Sequence, residues 1–272
     1  MERFLKLAAV AAVIVFVGAS GAQAKQSGKI DGQPNLNGIW QVMNGADWNL
    51  EPHEAQIAPA APEKLGALGA GPAGLGVVDG GQIPYTPDGL KQRDENRKNA
   101  PAADPEAACY LPGIPRATYI DHPFQIIQSG GDDILIAYEY ASANRVIHMQ
   151  KVEEPPIDTW MGTSYGSWAG NTLTVVTLAQ NGMTWLDRSG NFLSGTAKVT
   201  ETFTLKDHDH IAYEATIDDP ATFSKPWKMS MVLYRHVEPN AEILDFRCVP
   251  FADLLVYGDL LQNKDAKPDA KQ

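Results

Sequence analysis

The stretch KVTETFTL, residues 198–205, holds one acid in an alternating apolar set. Val199, Glu201, Phe203 and Leu205 share one face of a strand, and Lys198, Thr200, Thr202 and Thr204 share the other. Glu201 is therefore expected to point inward. A buried, unpaired carboxylate costs several kcal/mol, so Glu201 needs a partner, a set of hydrogen bonds or a raised pKa. Arg145 and Arg116 are the candidate partners. Two readings stay open. In one, an ion pair or a Glu–Tyr hydrogen bond only orders the interior; in the other, Glu201 is a general acid or base.

Tyr138, Tyr140 and Tyr213 alternate onto proposed inner faces, with Tyr119 nearby. Each could pack as core or orient a ligand oxygen, and Tyr213 could move a proton. Trp168 and Met229 are further candidates for an apolar binding surface. The loop NGMTWLDRSGNFLSG, residues 181–195, is richer than a connector requires, since hairpin loops usually need two to five residues. Trp185 would anchor it, while Asp187, Arg188 and Asn191 would cap a barrel mouth or touch a bound molecule. Asp187 is counted with Glu201 and Tyr213 as a candidate catalytic group. The cluster Asp207, His208, Asp209 and His210 contains metal-ligand residue types, but a solvated hairpin tip accounts for it. No nucleophile elbow, P-loop, dinucleotide fingerprint or HExxH pattern occurs, and no cofactor or metal is expected.

The elements that must position these groups begin at Cys109. Short runs rich in Val, Ile, Thr, Tyr and Phe recur between turn residues. Strands are predicted over 124–128, 134–140, 145–150, 165–168, 173–178, 198–205, 210–217, 228–236 and 242–248. Nine strands in a meander imply an all-β fold, an antiparallel up-and-down barrel or a curved sandwich. Ahead of them, PNLNGIWQV reads as an edge strand, residues 51–82 as an Ala/Gly/Pro-rich surface arm and residues 86–99 as a short polar helix. The organisation expected is a signal peptide over 1–24, an N-terminal strand and irregular arm over 25–108, the β-domain over 109–250 and a tail over 251–272.

Arg3 and Lys6, an apolar run and Ala22-Gln23-Ala24 have the layout of a cleaved export signal. The run is short for a bilayer span, which takes about 20 residues. A periplasmic or secreted protein without a membrane span is expected. Loss of Glu2, Arg3 and Lys6 removes a net +1, taking the formal charge from -11 to -12. An acidic chain without a basic stripe excludes nucleic acid as a natural partner. Cys109 and Cys248 are then most simply a disulfide.

The segments YLPGIPRATY, WMGTSYGSWAGNTLTVVT, TWLDRSGNF and YEATIDDPATFSKPW resemble a widespread family of secreted bacterial proteins of uncharacterised function. The resemblance covers about residues 83–250 and implies a barrel of the lipocalin or calycin kind. Members commonly read GDSRGRWEGDTL where this chain has Thr163, Tyr165, Ser167, Ala169 and Asn171 at the variant positions, and GNFHS where it has Leu193. Gly162, Trp168, Gly170, Trp185, Asp187, Arg188, Asn191 and Glu201 keep the pattern. The departures imply a more apolar pocket or a different reaction. Taken together, the expectation is a barrel that takes in a small apolar or aromatic molecule. It would perform cofactor-free acid–base chemistry of the lyase, isomerase, cyclase or hydratase type. The alternatives are a carrier without turnover and a structural envelope protein whose interior is filled.

Overall fold

The computed structural model describes residues 28–57, 70–131, 133–150, 155, 157–250 and 252. The expected signal peptide, part of the arm and nearly all of the expected tail lie outside these residues. Two short ladders precede or interrupt the main fold: β1 (Lys29–Ile30) with β2 (Gln33–Pro34), and β4 (Gln56–Ile57) with β5 (Ala70–Gly71). The other nine strands close a barrel. In chain order they are β3 (Gly38–Val42), β6 (Phe124–Ile127), β7 (Ile134–Tyr138), β8 (Asn144–His148), β9 (Thr163–Ala169), β10 (Thr172–Leu178), β11 (Lys198–Leu205), β12 (His210–Asp218) and β13 (Trp227–Arg235).

Period-2 alternation explains why these runs form a barrel wall. In β11, β12 and β13 burial alternates, and in β11 it falls on Val199, Glu201 and Phe203 as read from the sequence, with Leu205 at the strand end only half-buried. Glu201 sits level with Val175 on β10 and Ala215 on β12.

Three features differ from the sequence reading. The barrel is not wholly antiparallel, because β8 and β9 pair in parallel through Ile147↔Ser164 and His148↔Tyr165. Parallel neighbours run in the same direction, so the tight turn of an antiparallel pair cannot join them. Next, β3, read as an edge strand, is paired on both sides: it joins β13 to β6 and closes the ring. Finally, residues 242–248 form no strand. The edge of β13 that such a strand would need is occupied by β3 and by Val78, which bridges to Met229. That segment is instead tied down by the Cys109–Cys248 disulfide, with Cα atoms 5.8 Å apart.

The helix expected over 86–99 forms as α1 (Pro87–Asn99). Thr86 caps it by accepting from the Gly89 N–H at 3.1 Å, Pro87 fills the first turn, and Arg97 and Lys98 lie in the last turn. It docks through its backbone. A Cβ on Gly190, where φ is +87°, would lie 2.7 Å from the Arg97 nitrogen and 2.9 Å from the Arg93 carbonyl.

Among the described residues no helix is long and apolar enough to cross a membrane.

Candidate functional site

One end of the barrel is closed by the 181–195 loop. Within it, a small hairpin brings Trp185 and Phe192 into a bridge, and Leu186 and Leu193 enter the core. Asp187 is the hub. Its Oδ1 accepts from the Ser189 and Asn191 N–H groups at 2.9 and 3.2 Å, and its Oδ2 accepts from the Leu50 N–H at 2.9 Å and the Asn191 side chain at 2.6 Å. Burial pushes the Asp187 carboxyl up to about 6, against the pull of these donors. With four donors engaged, Asp187 shapes the plug. Asn191 completes it by accepting from the Tyr85 hydroxyl at 2.9 Å, and the Tyr119 hydroxyl donates to the Leu186 carbonyl at 2.8 Å.

Beneath the plug lies an interior polar cluster. Glu201 is fully buried and Arg145 is 3% exposed. The Arg145 Nη1 donates to Glu201 Oε1 at 3.2 Å and Nη2 donates to Oε2, a bidentate pair. Arg145 Nε reaches Ser164 Oγ at 2.8 Å, Nη2 also reaches Thr177 Oγ1 at 2.8 Å, and the Tyr213 hydroxyl donates to Glu201 Oε1 at 2.9 Å. Burial opposes the charged form of Arg145, but the Glu201 carboxylate outweighs it and raises the guanidinium further. Burial and then the Glu201 charge raise Tyr213, which stays a hydrogen-bond donor. Among the described residues the buried Tyr138 and Thr118 hydroxyls make no hydrogen bond.

Of the two candidate partners for Glu201, the fold selects Arg145. Arg116 belongs to a second ionic cluster near the plugged end. It donates to Asp47 Oδ1 at 2.9 Å, to Asp104 Oδ1 at 3.0 Å and to Glu106. Arg188 also binds Glu106, approaches Asp47 Oδ2 at 3.2 Å and lies 4.6 Å over the Trp48 ring. Burial pushes the Glu106 carboxyl upward, but Arg116 and Arg188 outweigh it and hold it at about 2. Burial, then the neighbouring Glu106 charge, raise Asp47.

Tyr140 is not on the inner wall. The strand ends at Tyr138, and a short 3-10 turn carries Tyr140 to pack at a tilt against Phe246, with ring centroids 5.0 Å apart. Its hydroxyl donates to the Glu106 carbonyl at 3.1 Å. Trp168 packs half-buried opposite Leu173, and Met229 is fully buried.

Asp47, Trp48, Asp104 and Glu106 escape a sequence reading based on periodicity, since they lie in turns or in the four-residue 3-10 helix Pro105–Ala108 and its cap. Asp104 alone carries a local signal: it precedes Pro105 and accepts from the Glu106 N–H at 2.9 Å, a helix-start arrangement.

Two cavities lie apart from the Glu201–Arg145 pair. One of about 760 Å³ is lined by Gln41, Met43, Asp47, Trp48, Tyr234 and His236 among others. Another of about 540 Å³ lies beside Trp227. Neither is lined by Glu201, Arg145 or Tyr213. Compared with protein families, curated proteins and solved structures, the chain matches none.

Proposed function

We propose that this chain is a binding protein for a small, largely apolar or aromatic molecule, exported to the periplasm or beyond. It would hold its ligand in the 760 Å³ cavity without turnover. One observation carries the reading. The cavity has a size suited to a small ligand, and the ring of Trp48 in its wall packs against the Arg188 guanidinium, itself fixed by Glu106. A preorganised aromatic wall binds without paying to order itself. Tyr234 supplies a second aromatic surface, while Asp47 is held by Arg116 and Arg188 and His236 by Gln41.

Acid–base turnover at Glu201 is the competing proposal. It requires a solute to reach a carboxylate whose two oxygens are already held by Arg145 and Tyr213. The two proposals separate with 2-naphthol as a neutral aromatic probe, followed by NMR of the tryptophan indole N–H signals. The binding reading expects a saturable shift of the Trp48 signal, and loss of binding in Trp48→Ala as read from the broadening of the 2-naphthol resonances. Binding that survives Trp48→Ala refutes the cavity as the site. Chemical conversion of a compound carried through purification, lost in Glu201→Gln, refutes the absence of turnover.

A further inference from the structure

The 540 Å³ cavity has a chemistry of its own. It forms because the arm joins the sheet beside β13. The Ser230 N–H donates to the Val77 carbonyl and the Asp79 N–H donates to the Lys228 carbonyl, both at 2.9 Å. The chain then turns away through Gly80 and Gly81, at φ +83° and +80°, a conformation glycine adopts without strain. The hollow left between this turn and β13 is lined by Ile83, Pro84, Pro226, Trp227, Lys225 and Lys228 among others.

Trp227 is only 6% exposed, and its buried indole N–H makes no hydrogen bond among the described residues. A buried donor left unmet is destabilising, so this position favours an acceptor. The two lysines differ. Lys228 is neutralised by Asp79 at 3.2 Å and Glu214 at 3.3 Å. Lys225 is exposed and makes no ion pair among the described residues. The lining therefore combines one unused positive charge from Lys225, a tryptophan whose buried N–H is unmet, and an apolar surface from Ile83, Pro84 and Pro226.

We infer that this cavity binds a small monocarboxylate with an apolar or aromatic body. The carboxylate would accept from the Trp227 indole and pair with Lys225, while the body lies on the isoleucine and proline side chains. One free ammonium matches one negative charge. A dianion such as phosphate would meet the Asp79 carboxylate in the same wall with no second free cation to offset it. This site is separate from the Trp48 cavity and does not depend on it.

The test is titration of the full chain with sodium benzoate, read at the Trp227 indole N–H. That signal is assigned through its contact with the Phe223 ring, whose centroid lies 5.4 Å away. Benzylamine serves as the probe of opposite charge, and the Trp48 indole signal reports the other cavity in the same spectra. The inference expects a saturable shift of the Trp227 signal below about 10 mM benzoate. Lys225→Gln, an exposed substitution, is expected to weaken it about three- to fivefold. No saturable shift, an equal response to benzylamine, or an affinity indifferent to Lys225→Gln would each overturn it. An indole N–H that stays bonded to water throughout gives the first of these results.

Discussion

Replacing Glu201 with Gln keeps the side-chain volume and removes the charge that compensates Arg145. The guanidinium is 3% exposed, and its other contacts, Ser164 and Thr177, are neutral hydroxyls. Breaking a buried pair from one side costs about 3–5 kcal/mol, because the remaining charge is left without a counter-ion. At 2–4 °C per kcal/mol for a domain of this size, melting should fall by roughly 6–20 °C. Removing both charges with Arg145→Met and Glu201→Leu should cost less than the single change. Ser164 Oγ and Thr177 Oγ1 lie 3.0 Å apart and still bond each other, so only the Tyr213 hydroxyl loses its acceptor. That loss is worth about 1–3 kcal/mol. Calorimetric melting of wild type, both single variants and the double variant gives the coupling directly. The reasoning fails if Glu201→Gln shifts melting by less than about 2 °C, or if the double variant is the least stable of the set.

Acid should act in two stages. Asp187, raised to about 6, opposes folding when ionised, so its destabilisation is relieved as pH falls from above 6 toward 4. Glu106, held at about 2 instead of 4.5, contributes about 3 kcal/mol above pH 4.5 that is lost as pH falls toward 2. Melting temperature should therefore rise from pH 7 to about 5 and drop below about 4, with Glu106→Gln flattening the acid limb; a monotonic profile would contradict both assignments. Gly190→Ala places a Cβ against the α1 backbone at a positive φ, at a cost of about 1–3 kcal/mol. An unchanged urea midpoint would show that α1 does not dock there. Reduction of Cys109–Cys248, which spans a sequence separation of 139, should remove up to about 4–5 kcal/mol in the chain-entropy account. Equal midpoints with and without reductant would show that the cross-link does not constrain the unfolded chain.

Alternation along β11, β12 and β13 was enough to place Glu201, Tyr213 and Met229 inside, because side-chain direction in a strand is a local property of period two. The cysteine pair and the capped helix α1 were legible for the same reason, as each depends on residue type or nearby sequence. Which arginine meets Glu201 was not. That choice depends on the parallel pairing of β8 with β9 and on closure by β3, contacts made across long stretches of chain. Residues 242–248 illustrate the limit: they have a strand-like composition, yet the edge they would need is taken. The Trp48 cavity was equally hidden, since Asp47, Trp48, Glu106 and Arg188 sit in turns or a single 3-10 turn without periodicity and meet only through the fold of the whole chain. Sequence settles which way a side chain faces, because neighbours two residues apart decide it. What it faces is settled by the path of the whole chain.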